Sequence, residues 1–209
     1  LCSVGYSAVM SDLFQHKAGD WDSRPVPAQI SAGVGKTLLE RVPLRDDMVV
    51  MDFGAGTGLI CAHVAPHVRR IYAVDLSAAM LEQLAAKPEL KGKVDAMQVD
   101  ILDTPLPRQV DLIVSAMAMH HVEDTGRLLQ AFAEHLVPGG KVALADLDAE
   151  DGTFHPPDTE GVYHLGFDRD ALREQLEAHG FCDIDFTTAV EVDRDGQRYP
   201  VFLVTATLA

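Results

Sequence analysis

Three glycines in five positions, Gly54, Gly56 and Gly58 of DFGAGTG, follow the apolar run MVVMDF, and Asp52 stands two residues before the first of them. Glycines behind a strand and at the start of a helix let the backbone approach a ligand closely. A dinucleotide fingerprint asks for its third glycine five residues after the first, and here that position is Leu59. Asp52 would repel a pyrophosphate but suits a cationic ammonium. Asp75 ends the next strand-like run, RIYAVDL, where an acid hydrogen-bonds ribose hydroxyls. A ribose, a positive charge and no phosphate together describe S-adenosylmethionine.

A second set of reactive side chains lies further along. His120 and His121 follow the run VDLIVSAM, at the carboxyl edge where open α/β sheets bind ligands. The polar segment 148–167, DAEDGTFHPPDTEGVYHLGF, adds His155 and His164. A neutral imidazole accepts a proton near neutral pH, so His120 and His164 are the candidate catalytic residues. Metal chemistry finds no support: there is no HExxH, and His63 and His67 lie on the helix after the glycine loop. SAGVGKT (31–37) ends like a phosphate-binding loop, but Ile30 replaces the required glycine and no strand precedes it. That segment is expected to be helix.

These groups need a scaffold. MVVMDF (48–53), RIYAVDL (70–76), KVDAMQV (93–99), VDLIVSAM (110–117) and KVALADL (141–147) read as strands. Helical patterns over 28–42, 58–68, 77–87 and 124–137 alternate with them, with Ser77 as an N-cap and VPGG (137–140) as a helix stop. A further helix at about 168–179 precedes FCDIDFTTAV (181–190) and PVFLVTATLA (200–209), joined through the hairpin pair Asp195-Gly196. The expectation is an α/β Rossmann-like, seven-stranded, mostly parallel sheet with a C-terminal antiparallel hairpin and helices on both faces.

The chain has 209 residues, a formal net charge of −15 and three separated cysteines with no CxxC pair. That acidity repels a nucleic-acid backbone, and reduced thiols suit the cytoplasm. No apolar run is long enough for a membrane span. The partner expected is therefore a small molecule, with no nucleic acid and no membrane, for a monomer or homodimer. Short-chain dehydrogenase chemistry needs Tyr-x-x-x-Lys, and none of the four tyrosines supplies it.

The chain resembles the class I S-adenosylmethionine-dependent methyltransferases, of the type 11 kind similar to the ubiquinone/menaquinone C-methyltransferases. VVMDFGAGTG, YAVDLSAAML, QVDIL, DLIVSAMAMHHVED and LVPGGKVALADL carry the likeness, in order, from about Trp21 to the end. It implies a small-molecule methyl transfer that leaves S-adenosylhomocysteine. It also implies that Gly54, Ala55 and Gly56 hold the methionine part, with Asp52 near its ammonium. Asp75 would bind the ribose, Leu76 and Met80 would pack on adenine, and Asp100 and Ile101 would reach its amino group and ring. Ser115 and Ala116 would line the methyl channel, and Trp21 would lie beside the site. In this reading residues 1–26 cover the cofactor, 27–209 form one domain, and 148–166 are a lid. Catechol-type enzymes place a metal-binding Asp where Ser115 stands. The competing class is a non-catalytic adenosylmethionine-binding sensor or partner subunit, which would share the cofactor motifs.

Overall fold

The computed structural model describes residues 12–209. Its strands are β1 (Val49–Phe53), β2 (Arg70–Asp75), β3 (Val94–Gln98), β4 (Val110–Ala116), β5 (Leu136–Leu147), β6 (Phe181–Arg194) and β7 (Gln197–Leu208). They form one sheet in the order β3-β2-β1-β4-β5-β7-β6. The first five run parallel, and β7 inserts antiparallel between β5 and β6. The expected seven-stranded Rossmann-like sheet is present. Strand order reverses between β1 and β4, and a crevice at such a reversal is where open α/β sheets bind ligands.

The strands alternate their side chains between two cores. Val50, Ile71, Leu112, Ala143 and Leu203 face one cluster, which includes Ile30, Val34 and Leu38 of α1 (Pro25–Arg41), and Ile60 and Val64 of α2 (Leu59–Val64). Met51, Val74, Ile113, Leu144 and Phe202 face the other, with Leu128 and Phe132 of α4 (Thr125–His135) and Leu172 and Leu176 of α5 (Arg169–Ala178). Both faces are covered, as a parallel sheet requires.

Helix ends follow the local chemistry. Ser77 accepts from the Met80 N–H and so caps α3 (Ala78–Ala85), while Asp124 and Asp168 cap α4 and α5 in the same way. Pro25 opens α1, three residues before the helical pattern predicts, because proline suits a first helical position. The phosphate-loop look-alike 31–37 lies inside this helix. Asp195 and Gly196 both take positive φ, 53° and 82°, the left-handed pair of a tight two-residue hairpin.

One expectation fails. VPGG does not stop a helix; α4 ends at His135, and residues 136–147 form a single strand. Leu136 pairs with Val110 and Lys141 with Leu112, so the intervening residues bulge, with Gly139 at φ 75°. A bulge absorbs turn-like residues without breaking the strand.

Candidate active site

The glycine loop leaves β1 at the reversal of strand order. The N–H groups of Gly54 and Ala55 donate to the Val74 carbonyl at 2.9 and 3.0 Å, which ties the loop to β2. Gly54, Gly56 and Gly58 all take positive φ. A Cβ on Gly54 would sit 2.3 Å from the Ala118 Cβ, whereas a Cβ on Gly56 would meet nothing within 4 Å. Gly54 thus serves packing, and Gly56 presents bare backbone to open space. That second feature is a cradle a ligand can enter.

Asp75 closes the cradle from β2. Its Oδ2 accepts the Gly56 N–H at 2.7 Å and its Oδ1 accepts the Ser77 N–H at 2.8 Å. Burial raises its pKa, opposed by those two bonds. Each carboxylate oxygen has a second lone pair for a hydroxyl. Asp52 is 1% exposed, and the Cys61 thiol donates to it at 3.1 Å. Burial, with a smaller contribution from Asp75, pushes the Asp52 carboxyl up to about 7. A carboxylate so destabilised in its charged form gains from a nearby cation.

The other expected cofactor residues divide. Leu76 is 57% exposed beside the cradle, a position open to a flat ring. Met80 and Ile101 are buried, with Ile101 in the core against α4. The Asp100 Oδ1 accepts the Leu102 N–H at 2.9 Å and shapes the turn after β3. Ser115 donates to the Phe53 carbonyl at 2.9 Å, locking the ends of β4 and β1 together, and Ala116 follows it. All of these residues lie at or just after the carboxyl ends of β1 to β4.

Two segments lie over this edge. Thr57 donates to Asp22, Ser77 donates to Asp12 at 2.8 Å, and Lys87 pairs with Asp22 at 2.6 Å. Trp21 packs edge-on against Phe14 at 6.0 Å, and Phe14 packs on His121 at 5.4 Å. From the other side, Tyr163 and His164 donate backbone N–H groups to the His120 carbonyl, and His121 Nδ1–H donates to the Gly161 carbonyl. The two segments meet where Leu13 reaches Gly161; a Cβ there would lie 2.7 Å from the leucine Cδ1. Residues 1–11, part of the expected N-terminal cover, lie outside the described residues.

The structure brings three histidines together and leaves out the fourth. His120 and His121 rings lie 4.1 Å apart, and His155 lies 5.0 Å from His120 and 6.1 Å from His121. Burial holds His121 and His155 neutral, each lowered to about 4, with the neighbouring imidazoles adding to the effect. His164 instead packs toward the start of α4; its Nε2–H donates to the Val122 carbonyl at 2.9 Å, with the Thr125 hydroxyl 3.2 Å away. It borders an open depression of about 670 Å³ with Glu123, Asp124 and Gln175, away from the glycine loop.

Sequence reasoning missed Asp146, which is fully buried and lies 2.7 Å from His120 Nδ1. A signal existed: Asp146 occupies the slot that Val142 and Leu144 fill earlier on the same core-facing row. Asp52 replaces an apolar residue after Val50 in the same manner, and Ser115 after Ile113.

Sheet order, glycine cradle and Asp75 define a class I nucleoside-binding methyltransferase architecture. A methyltransferase-domain family model matches residues 50–140. An uncharacterized methyltransferase of Geobacillus kaustophilus is 31% identical over 183 residues, covering 83% of this chain and 82% of that protein. Another, from Schizosaccharomyces pombe, is 30% identical over 138 residues, covering 58% of this chain and only 49% of its own length. Among solved structures, a chain from the complex of the Haloferax volcanii Trm112 methyltransferase activator with a methyltransferase superposes with TM-score 0.78 at 18% identity, covering 95% of this chain and 99% of that one. The N-methyltransferase NodS of Bradyrhizobium japonicum, bound to S-adenosyl-L-homocysteine, gives 0.70 at 16% identity, covering 94% of each chain. The chain belongs to the class I S-adenosylmethionine-dependent methyltransferases.

Proposed function

We propose that this methyltransferase acts on a small-molecule acceptor enclosed between the His120 turn and residues 148–166. The observation that carries this reading is the meeting of two covers, Leu13 against Gly161, over the carboxyl edge of the sheet. An enclosed site suits a small acceptor, because excluding water strengthens each polar contact inside. The net charge of −15 argues in the same direction, against a polyanionic substrate.

In this reading the backbone of Gly54–Gly56 would hold the methionine part of S-adenosylmethionine, Asp52 would face its ammonium and Asp75 would bind its ribose hydroxyls. Leu76, Met80, Asp100 and Ile101 border the adenine. Ser115 and Ala116 border the sulfonium, and Trp21 supports the cover. The cofactor supplies an electrophilic methyl group. The protein supplies position, since in-line approach accounts for much of the barrier in such a displacement. His120, rather than His164, faces the acceptor. The contact of Ala118 with Gly54 couples the histidine turn to the cofactor loop.

The test uses methyl-labelled S-adenosylmethionine with cell extract separated by size. Label entering the fraction of metabolites is the expected result. Label confined to protein or RNA would contradict the small-molecule reading.

A further inference from the structure

Among the described residues Asp146 hydrogen-bonds to none of the positions assigned to the cofactor, yet it is fully buried near the carboxyl end of β5. Its Oδ2 accepts the His120 backbone N–H at 3.2 Å, and its Oδ1 accepts the Leu147 N–H at 2.8 Å. The same Oδ1 lies 2.7 Å from His120 Nδ1. A carboxylate only accepts, so Nδ1 carries the proton and a neutral ring keeps its lone pair on Nε2. That Nε2 is buried and has no hydrogen-bond partner among the described residues, and neither has Nε2 of His155. Buried polar atoms without partners are uncommon and costly, and a catalytic role is one reason a protein keeps one.

The surroundings make a base of this nitrogen. His120 is 1% exposed and faces His121 on its own turn, His155 from segment 148–167 and Asp146 from β5. Further out, Lys17 acts on His121 from the N-terminal cover and Arg194 of β6 acts on His155, both disfavouring an added proton there. Of the three imidazoles, only His120 has a carboxylate partner in place.

We propose that Asp146 is the positioning residue of a His120–Asp146 dyad in which His120 Nε2 removes a proton from the acceptor, so that the acceptor is a protic nucleophile, an O–H or a similar group protonated at neutral pH. This rests on the methyl-transfer reading above. The acceptor atom bonds to the methyl carbon as the carbon–sulfur bond breaks, and that electron pair stays on sulfur. The acceptor proton passes to Nε2, giving an imidazolium whose Nδ1–H remains on Asp146, and later leaves to water. An aprotic or already ionised acceptor would need no such dyad.

Nitrogen-15 NMR of the imidazoles in the full chain reads the tautomer without turnover. The expected result at about pH 8 is a neutral His120 with its proton on Nδ1, and weakened Nδ1–H signatures in Asp146→Asn. A proton on Nε2, or a doubly protonated ring, would overturn the proposal. Turnover is measured with phenol and with thiophenol, the latter already largely ionised at that pH. Asp146→Asn should lower phenol methylation roughly 10²-fold or more and leave thiophenol methylation near the wild-type rate; equal losses on both would overturn the dyad. If Asp146→Asn fails to fold, His120→Gln is compared on the same pair of acceptors. Calorimetry of wild type with S-adenosylhomocysteine separates the two levels, since absent binding sinks the methyl-transfer reading itself and the dyad with it.

Discussion

Gly54 and Ala118 pack so closely that a Cβ on the glycine would lie 2.3 Å from the alanine Cβ. The contact joins the loop after β1 to the turn after β4, the two sides of the strand-order reversal. Gly54→Ala should therefore damage both. The residue's φ of 67° costs roughly 1–2 kcal/mol for a side chain, and overpacking adds about 1–3 kcal/mol. Thermal unfolding should shift down by at least ~4 °C, with weaker S-adenosylmethionine binding by calorimetry. A variant of unchanged stability would mean the two loops are not in contact.

Asp75→Ala should reduce cofactor affinity at least ~10-fold, because charge-assisted hydrogen bonds contribute about 1.5–3 kcal/mol each. The variant also strips the Gly56 N–H of its acceptor, so the loop loses a tie to β2. Calorimetric titration checks this, and equal affinity in the variant would remove Asp75 from the ribose site.

Asp52 predicts a trade between stability and binding. Its folded pKa of about 7 lies above the ordinary carboxyl value of roughly 3.9. The folded chain thus holds a proton that the unfolded chain has lost across that window. The penalty of burying the charge is absent below about pH 4, grows between about 4 and 7, and is complete above about 7. Asp52→Asn should raise Tm on the order of 5 °C at about pH 8 and leave it unchanged at about pH 4. Cofactor binding should release protons near pH 7, seen by calorimetry in buffers of different ionisation heat. A Tm gain independent of pH would contradict the account.

His121 and His155 give the opposite slope. Burial lowers both to about 4, below the ordinary value of about 6.5. An opened or unfolded form binds protons first as pH falls, so the closed segment loses stability progressively from about pH 6.5 to about 4. Hydrogen-exchange protection of residues 150–165, corrected for intrinsic rates, should fall across that window. Protection that stays constant would show that the histidines do not hold the segment.

The fold was readable because its two periodicities are clean. Strand runs such as RIYAVD alternate between two cores, and Asp195-Gly196 admits few turns other than a hairpin. The glycine cradle and Asp75 were equally readable, since few residues other than glycine adopt those φ values. Asp146 shows in the sequence only as a carboxyl in an apolar row, and its role is not readable until the partner of that carboxylate is known. That partner, His120, is 26 residues away in sequence. The grouping of His155 with His120 depends on the path of a long segment, which no local pattern specifies. The bulge at 137–140 was hidden for a related reason: turn residues look alike whether they end a helix or interrupt a strand.

The most direct test is a crystal structure of the chain with S-adenosylhomocysteine. The account predicts ribose hydroxyls on the Asp75 carboxylate, the amino acid part along Gly54–Gly56, and the sulfur facing the turn that carries Ala118 and His120. A ligand bound elsewhere, such as the depression beside His164, or lying with its sulfur turned away from His120, would contradict it.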